Sequence, residues 1–364
     1  MRLLITIVLV LVTGILTLGS FLHLAETDVW WVRTTDFPRL QYGAALLVLL
    51  VLLALLARWV SRPVRVVLVV LALVSLGYNV FKLAPYMPIG GRDDVASCDA
   101  EDSLTVLVAN VQMENRESAG LLELVQAREP DLFLALETDA WWDTELSPLG
   151  EAMPQTVSHI DDDFYGMHLF SRLPLSETRV MFPVETDTPS ILAKVELPSG
   201  NEVQFMGLHP RPPHPGQSSV GRDAALMWAG LRAWNSKVPV VAAGDLNAVP
   251  WERSAMRMQR IGQFLDPRRS EGFKASFNSS SWWMIWPLDQ VLHQAELSLV
   301  SLDILSSFGS DHYPVEATLC DRPSEHRPPS IVDGDMDEAE ETIRAVLDMQ
   351  RESEERDRRE ASDS

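Results

Sequence analysis

The sequence predicts an α+β sandwich preceded by transmembrane helices, and three observations carry that reading. The first 90 residues contain three long apolar stretches. Residues 103–320 alternate short β-rich apolar runs with amphipathic segments. Polar groups able to do chemistry recur where those apolar runs end.

The amino-terminal stretches come first. Residues 3–24 carry no acidic or basic side chain apart from His23, and are long enough as a helix to cross a hydrocarbon core of about 30 Å. Residues 40–60 and 64–87 form two more candidate spans, the latter with Lys82 snorkelling its ammonium to the interface. A secretory signal peptide is the competing reading of the first stretch, since Arg2 precedes a leucine-rich run. Against it, the run is longer than a signal core, no small-residue cleavage site is evident, and Trp30 and Trp31 sit where an interfacial aromatic belt belongs. Arg58, Arg62 and Arg65 have no acid among them, whereas Arg33 and Arg39 are mixed with Glu26, Asp28 and Asp36. The positive-inside rule therefore puts the arginine loop and the amino terminus in the cytoplasm, and everything after about residue 88 outside.

Pro85, Pro88, Gly90 and Gly91 end the last span, and residues 91–102 read as a linker. Beyond it, residues 104–111, 132–136, 203–208, 238–243, 288–292 and 313–319 read as buried strands. Residues 118–128 and 221–234 read as helices, the first stopped by Pro130. Cys98 and Cys320 bracket this region, and an oxidising compartment would permit a disulfide between them; two free thiols are the alternative. Residues 321–364 form an acidic tail with Asp335, Asp337, Glu338, Glu340 and Glu341 almost consecutive, for which disorder with a transient helix over 338–349 is expected. A net charge of −21 argues against non-specific DNA binding, which draws on lysine and arginine clusters.

Three motifs hold the chemistry. In residues 240–247 an apolar strand ends in a Gly turn and delivers Asp245 and Asn247 two positions apart, hence on one side. A carboxylate beside an amide suits phosphoryl transfer, the first orienting water and the second binding a phosphate oxygen; an ordinary Asx turn is the bland reading. In residues 309–315 adjacent Asp311 and His312 offer a metal contact and a proton-transfer group. In residues 130–137, Glu137 closes an apolar strand, which a solvated strand end would also explain. Asn110, His209 and Asp289 likewise lie at strand ends, so the polar groups share one placement along the chain.

With these residues in order, the chain resembles the endonuclease/exonuclease/phosphatase superfamily, which includes pancreatic deoxyribonuclease, abasic-site endonucleases, neutral sphingomyelinases and inositol polyphosphate 5-phosphatases. The resemblance spans about residues 103–319 and implies a four-layer α/β/β/α sandwich with its site at one end and Mg²⁺, or alternatively Mn²⁺, as the metal. It implies metal binding by Glu137, Asn110 and Asp311, and phosphate binding by Asn110, Asn247, His312 and, more weakly, Arg222. It implies catalytic roles for His209, Asp245, Asn247, Asp289 and His312, with Asp245 orienting water and Asp289 fixing a histidine tautomer. Ala109 stands where the family usually has an aromatic residue, and Gln112 where many members have Asp or Asn. The proline-rich run after His209 is similar to that of bacterial membrane-bound members, which implies an inner-membrane location, and the arginine-loop topology would put the catalytic domain on the extracytoplasmic side.

Three functions then compete: a phosphodiesterase for lipids or small molecules, an extracytoplasmic nuclease, and an inert anchor or binding protein. Trp141, Trp142, Trp251, Trp282, Trp283 and Trp286 follow strands on the expected site side and suit a membrane-interface substrate, unless they pack internally. Arg211, Arg222, Arg253, Arg257, Arg260, Arg268 and Arg269 would form the basic groove that a nuclease needs.

Overall fold

The computed structural model describes residues 1–87 and 98–363, without the side chains of residues 357 and 360–363. The greater part of the expected linker, residues 91–97, therefore lies outside the described residues. The described residues fall into two units.

The first unit comprises the residues up to 87 together with Pro213–Ser219. It contains α1 (Arg2–Phe21), α2 (Trp30–Arg33), α3 (Arg39–Leu55) and α4 (Arg62–Leu83). The apolar residues of these helices exceed what three helices can bury among themselves. Leu9, Leu46, Leu49, Leu53, Leu68 and Ala72 pack inward, while Leu3, Leu11, Val48, Val51, Val67 and Val70 face out. Outward apolar side chains on well-formed helices are what a lipid-facing surface requires. Two helical stretches, Arg2–Leu24 and Arg62–Tyr86, are long and apolar enough to cross a membrane. The third expected span departs from residues 40–60: α3 has 17 residues, about 26 Å at 1.5 Å per residue and short of a core of about 30 Å. It completes a span only if Trp30–Asp36, bent from it by 69°, is counted with it. Asp36 pairs with the fully buried Arg39, whose Nη1 also donates to Asn79 Oδ1 at 3.1 Å.

The second unit holds two six-stranded mixed sheets. Its elements in chain order are β1 (Ser103–Asn110), α5 (Ser118–Arg128), β2 (Leu132–Leu136), α6 (Ala140–Leu146), β3 (Gln155–His159), β4 (Met167–Ser171), β5 (Leu175–Met181), β6 (Ser190–Glu196), β7 (Glu202–Leu208), α7 (Val220–Trp234), β8 (Val240–Asp245), α8 (Arg253–Gly262), β9 (Phe264–Leu265), α9 (Arg268–Glu271), β10 (Asp289–Gln294), β11 (Ser298–Ile304), β12 (Val315–Cys320) and α10 (Asp335–Asp363). Sheet one runs β11-β12-β1-β2-β4-β3, and sheet two runs β5-β6-β7-β8-β10-β9. The period of two along each strand sorts its side chains between layers. Leu104, Val106 and Val108 of β1 join Phe205, Val241 and Val291 of sheet two in the core between the sheets. Leu107 and Ala109 of the same strand pack with Leu121 and Val125 of α5. On the far side, Met206 and Ala242 pack with Leu226 of α7 and Met258 of α8. The result is a four-layer α/β/β/α sandwich. Cys98 and Cys320 form a disulfide with Cα atoms 5.7 Å apart, tying the approach to β1 to the end of β12.

The tail corrects an expectation. Residues 335–363 form the helix α10, where disorder with only a transient helix over residues 338–349 was anticipated. Met336, Ala339 and Ile343 pack against the layer of α7 and α8, and Val346 against Ala224 and Val184, so one apolar stripe at helical spacing is covered. Its leading acids are counter-ions rather than solvated charge. Asp335 accepts from Arg257 Nε at 3.1 Å and Arg260 Nε at 2.7 Å, and Glu338 pairs with Arg253 and Arg257.

Candidate active site

Each sheet contains one parallel pair among antiparallel neighbours, and those pairs build the site. β1 and β2 run parallel with Asn110 beside Leu136, so Asn110 and Glu137 emerge at one end of sheet one. β7 and β8 run parallel with Leu208 beside Gly244, so His209 and Asp245 emerge side by side from sheet two. β10 is antiparallel to β8 and sets Asp289 opposite Asp245. The loop entering β12 carries Asp311 and His312.

Backbone conformation holds these groups in place. Gly244 has φ +145°, and a Cβ there would lie 1.8 Å from the Leu208 carbonyl oxygen, so only glycine lets the two parallel strands deliver His209 and Asp245 together. Glu137, Asn247 and Gln112 have φ of +62°, +49° and +56°, the left-handed region that non-glycine residues occupy at a cost of roughly 1–3 kcal/mol. The Glu137 turn is braced by Thr138 N donating to Gly166 O at 3.1 Å.

The side chains converge. Asn110 Nδ2 donates to Glu137 Oε1 at 2.7 Å and to Asp245 Oδ2 at 3.3 Å, linking the two sheets. His209 Nε2 lies 3.9 Å from both Glu137 Oε1 and Asp245 Oδ2. His312 Nδ1 is 2.7 Å from Asp289 Oδ2, and its Nε2 is 3.7 Å from Asp245 Oδ2. Asn247 N donates to Asp245 Oδ1 at 2.9 Å, and Asn247 Nδ2 to Pro210 O at 3.0 Å. Asp311 is held through its backbone N, which donates to Gln112 Oε1 at 3.0 Å.

Burial dominates the electrostatics. It pushes the Glu137, Asp245 and Asp311 carboxyls above their ordinary range, and the His209 imidazole below its own. His312 goes the other way: burial opposes its charge, but Asp289 and Asp245 outweigh it and push its pKa up to about 10. Asp289 is correspondingly held low, because His312 overcomes its burial. His209 is thus the neutral imidazole of the site and His312 the cationic one.

Carboxylate and amide oxygens in this density suit a hard divalent cation, which would relieve the three raised carboxyls. Asp245, Asp289 and His312 offer ligand atoms within 4.8 Å of one another. That group is not the trio anticipated from sequence. His312 and Asp289 already share a hydrogen bond, whereas among the described residues Glu137 has no cationic side chain at hydrogen-bond distance.

Other anticipated residues take different roles. Arg222, put forward as a phosphate contact, is 1% exposed and paired with Glu252 and Asp223. Its Nη1 donates to Asn247 O at 2.9 Å, so it braces the loop bearing Asn247. Of the expected basic groove, five more arginines are engaged within the fold, and Arg269 is exposed. Arg253, Arg257 and Arg260 serve α10, Arg268 is buried and donates to the Lys274 and Asp289 carbonyls, and Arg211 is paired with Glu185 and Asp187. The tryptophans divide. Trp142 and Trp251 are core residues, whereas Trp282 is 91% exposed and Trp283 47%. The loop bearing that exposed pair reaches the site, since the Phe277 ring lies 4.8 Å from His312 and 5.7 Å from Trp286.

Sequence reasoning passed over Tyr165, whose ring lies 5.6 Å from His209 and whose hydroxyl is pushed up to about 12 by burial. The available signal was the Tyr165-Gly166 pair before the apolar run of β4. Gly166 is required there because a Cβ would sit 1.7 Å from the Thr138 carbonyl oxygen, next to Glu137.

Comparison with known proteins agrees with this geometry. D. rerio TDP2 complexed with single-strand DNA product superposes with a TM-score of 0.52 at 16% identity, covering 60% of this chain and 98% of that one. A humanized D. rerio TDP2 gives 0.51 at 15% identity over 60% and 99% of the two chains. A functionally unknown conserved protein from Enterococcus faecalis V583 gives 0.50 at 14% identity over 60% and 100%. At such identities the likeness is one of fold. No curated protein matches the sequence. The model of the Endonuclease/Exonuclease/phosphatase family matches residues 107–312, more than half of the chain and all of the converging side chains from Asn110 to His312, and the chain belongs to that family.

Proposed function

We propose that this protein is a membrane-anchored, divalent-metal-dependent phosphodiesterase acting on a lipid or small-molecule phosphodiester from the extracytoplasmic face of a membrane. The observation that carries the reading is the meeting of Asn110, Glu137, His209, Asp245 and the Asp289–His312 pair at one end of the sandwich. Glu137, Asn110 and Asp311 would hold the cation, Mg²⁺ or Mn²⁺, and when bound it supplies Lewis-acid polarisation of a phosphoryl oxygen. The chain's own groups do the rest. Asp245 accepts a proton from the attacking water as the new P–O bond forms, with Asn247 holding the carboxylate through its backbone N–H. His312, kept protonated and oriented by Asp289, binds the anionic phosphate oxygens. As the P–O bond to the leaving group breaks, that oxygen takes a proton from the cationic His312, which the proton gathered by Asp245, 3.7 Å from His312 Nε2, then replaces, while the neutral His209 steadies the transferring phosphate.

Two features support a lipid or small molecule over nucleic acid. The exposed Trp282 and Trp283 belong to the loop that packs on His312 through Phe277, as a membrane-interface substrate would need. Of the arginines that could bind a polyanion, Arg211, Arg253, Arg257 and Arg260 are engaged by carboxylates, and Arg222 and Arg268 are buried. An extracytoplasmic nuclease is the second reading, favoured by the fold shared with a TDP2 solved with single-strand DNA product. The test is hydrolysis of bis-p-nitrophenyl phosphate by the detergent-solubilised full chain with Mg²⁺ or Mn²⁺. Activity abolished by chelator, by His209→Ala and by Asp245→Asn is the expected result. Turnover that survives all three removes the reading, and parallel assays on phospholipid vesicles and single-stranded DNA decide between the two substrate classes.

A further inference from the structure

On its His209 side the site ends in a charge network that hydrolysis does not use. The Tyr165 ring lies 5.6 Å from His209, and the Arg211 guanidinium lies 5.4 Å from the Tyr165 ring centroid. An arginine beside a phosphate site is a ready second handle for a substrate with several phosphates. Here that handle is taken. Arg211 Nη2 is ion-paired with Asp187, and its Nε lies 3.3 Å from Glu185 Oε2. The fold builds this arrangement deliberately into the first turn of α7: the Glu185 carboxylate packs against Gly221, where a Cβ would come within 2.5 Å of it. Burial pushes the Glu185 carboxyl above its ordinary range, and Arg211, the Thr188 hydrogen bond and the amino end of that helix work against the shift in favour of the carboxylate. Two carboxylates against one guanidinium leave this rim with one negative charge in excess.

We propose that Glu185 and Asp187 are specificity determinants that saturate Arg211 and give the His209 rim a net negative charge. The site then accepts a phosphodiester with a single negative charge and turns away a substrate that continues as a chain of phosphates. This deepens the phosphodiesterase reading and rests on it for the identity of the site.

The experiment measures binding of a fluorescein-labelled single-stranded DNA to the full chain in detergent by anisotropy over a range of KCl concentrations. Binding about tenfold tighter in Glu185→Gln/Asp187→Asn, with a steeper salt dependence and with the gain abolished by adding Arg211→Gln, supports the proposal. Asp187→Asn alone, at a side chain that is 50% exposed and tolerant of change, gives a smaller gain of the same sign. Unchanged binding in these variants, or a gain that survives Arg211→Gln, overturns it. Turnover separates this proposal from the one beneath it: a wild type that hydrolyses no phosphodiester removes the phosphodiesterase reading, while anisotropy still reads the rim.

Discussion

The two sheets of the catalytic unit have the same size and each delivers its chemistry from one parallel pair, yet they contribute different chemistry. Sheet one, through β1 and β2, presents the Glu137 carboxylate and the Asn110 amide, whose Nδ2 faces the carboxylates while its Oδ1 accepts from Gln112 N at 2.9 Å. Sheet two, through β7, β8 and β10, presents the titratable groups His209, Asp245 and Asp289, which the proposed mechanism uses to handle protons. His312 enters from the β12 loop of sheet one but is claimed by Asp289 of sheet two at 2.7 Å. Under the proposed function, the cation side and the proton side of the site sit on separate scaffolds. Asn110 is the tie between them, donating to one carboxylate of each sheet.

Substitutions should divide along the same line. Asp245→Asn, on the proton side, is expected to lower kcat by about 10³-fold, roughly 4 kcal/mol, and added metal should not restore it. A metal titration of bis-p-nitrophenyl phosphate hydrolysis checks this, and recovery at high Mg²⁺ would erase the division of labour. Cys98→Ser should act on sheet one alone, because the disulfide secures the end of β12; chain-entropy reasoning for a separation of 222 residues gives a stability loss of about 5 kcal/mol. Denaturant unfolding under oxidising and reducing conditions measures it, and identical curves for wild type in both would contradict the expected role of the bond. Glu137→Gln, on the cation side, should cost about 10²-fold at low Mg²⁺ and recover in part as metal is raised. A loss indifferent to metal concentration would move Glu137 to the proton side.

The smallest effect belongs to the helical layer on sheet two. Asp335 has its pKa lowered to about 2, where burial works against the charge but Arg260, the Val332 backbone and Arg257 outweigh it. A carboxyl depressed on folding stabilises the folded state above its unfolded pKa of about 4 and loses that contribution as pH falls through about 2. Limited proteolysis between pH 5 and 2 should therefore release α10 before the sandwich opens, and Asp335→Asn should release it already at neutral pH. Loss of the tail and the sandwich together in either experiment would show that α10 is integral to sheet two.

What could be read in advance has a common physical character. Strand-end chemistry was legible because an apolar run ending in a turn fixes where Asn110, Glu137, His209, Asp245, Asp289 and His312 emerge, whatever the run packs against. The expected helix at residues 118–128 coincides with α5 because one face of that segment is apolar at helical spacing and Pro130 follows it. The half-exposed strands β3 and β5 were illegible, since residues 155–159 and 175–181 are largely polar and are strands only because β4 and β6 offer them an edge. Their order was set by pairing partners, not by their own composition.

By itself the sequence determined the apolar helices at the amino terminus, the layered alternation of β and α, and the set of polar residues that end the central strands. These are local consequences of hydrophobic period and turn chemistry, which act over a few residues. Only the tertiary structure decided which charges neutralise which. Arg253, Arg257 and Arg260 read as a nucleic-acid groove until Asp335 and Glu338, 75 to 85 positions away, are folded onto them. Arg211 reads as part of the same groove until Glu185 and Asp187 close on it, and the tail reads as disorder with a transient helix until α7 and α8 cover its apolar stripe. Coulomb attraction acts through space and not along the chain, so an ion pair between distant residues has no local signature to read.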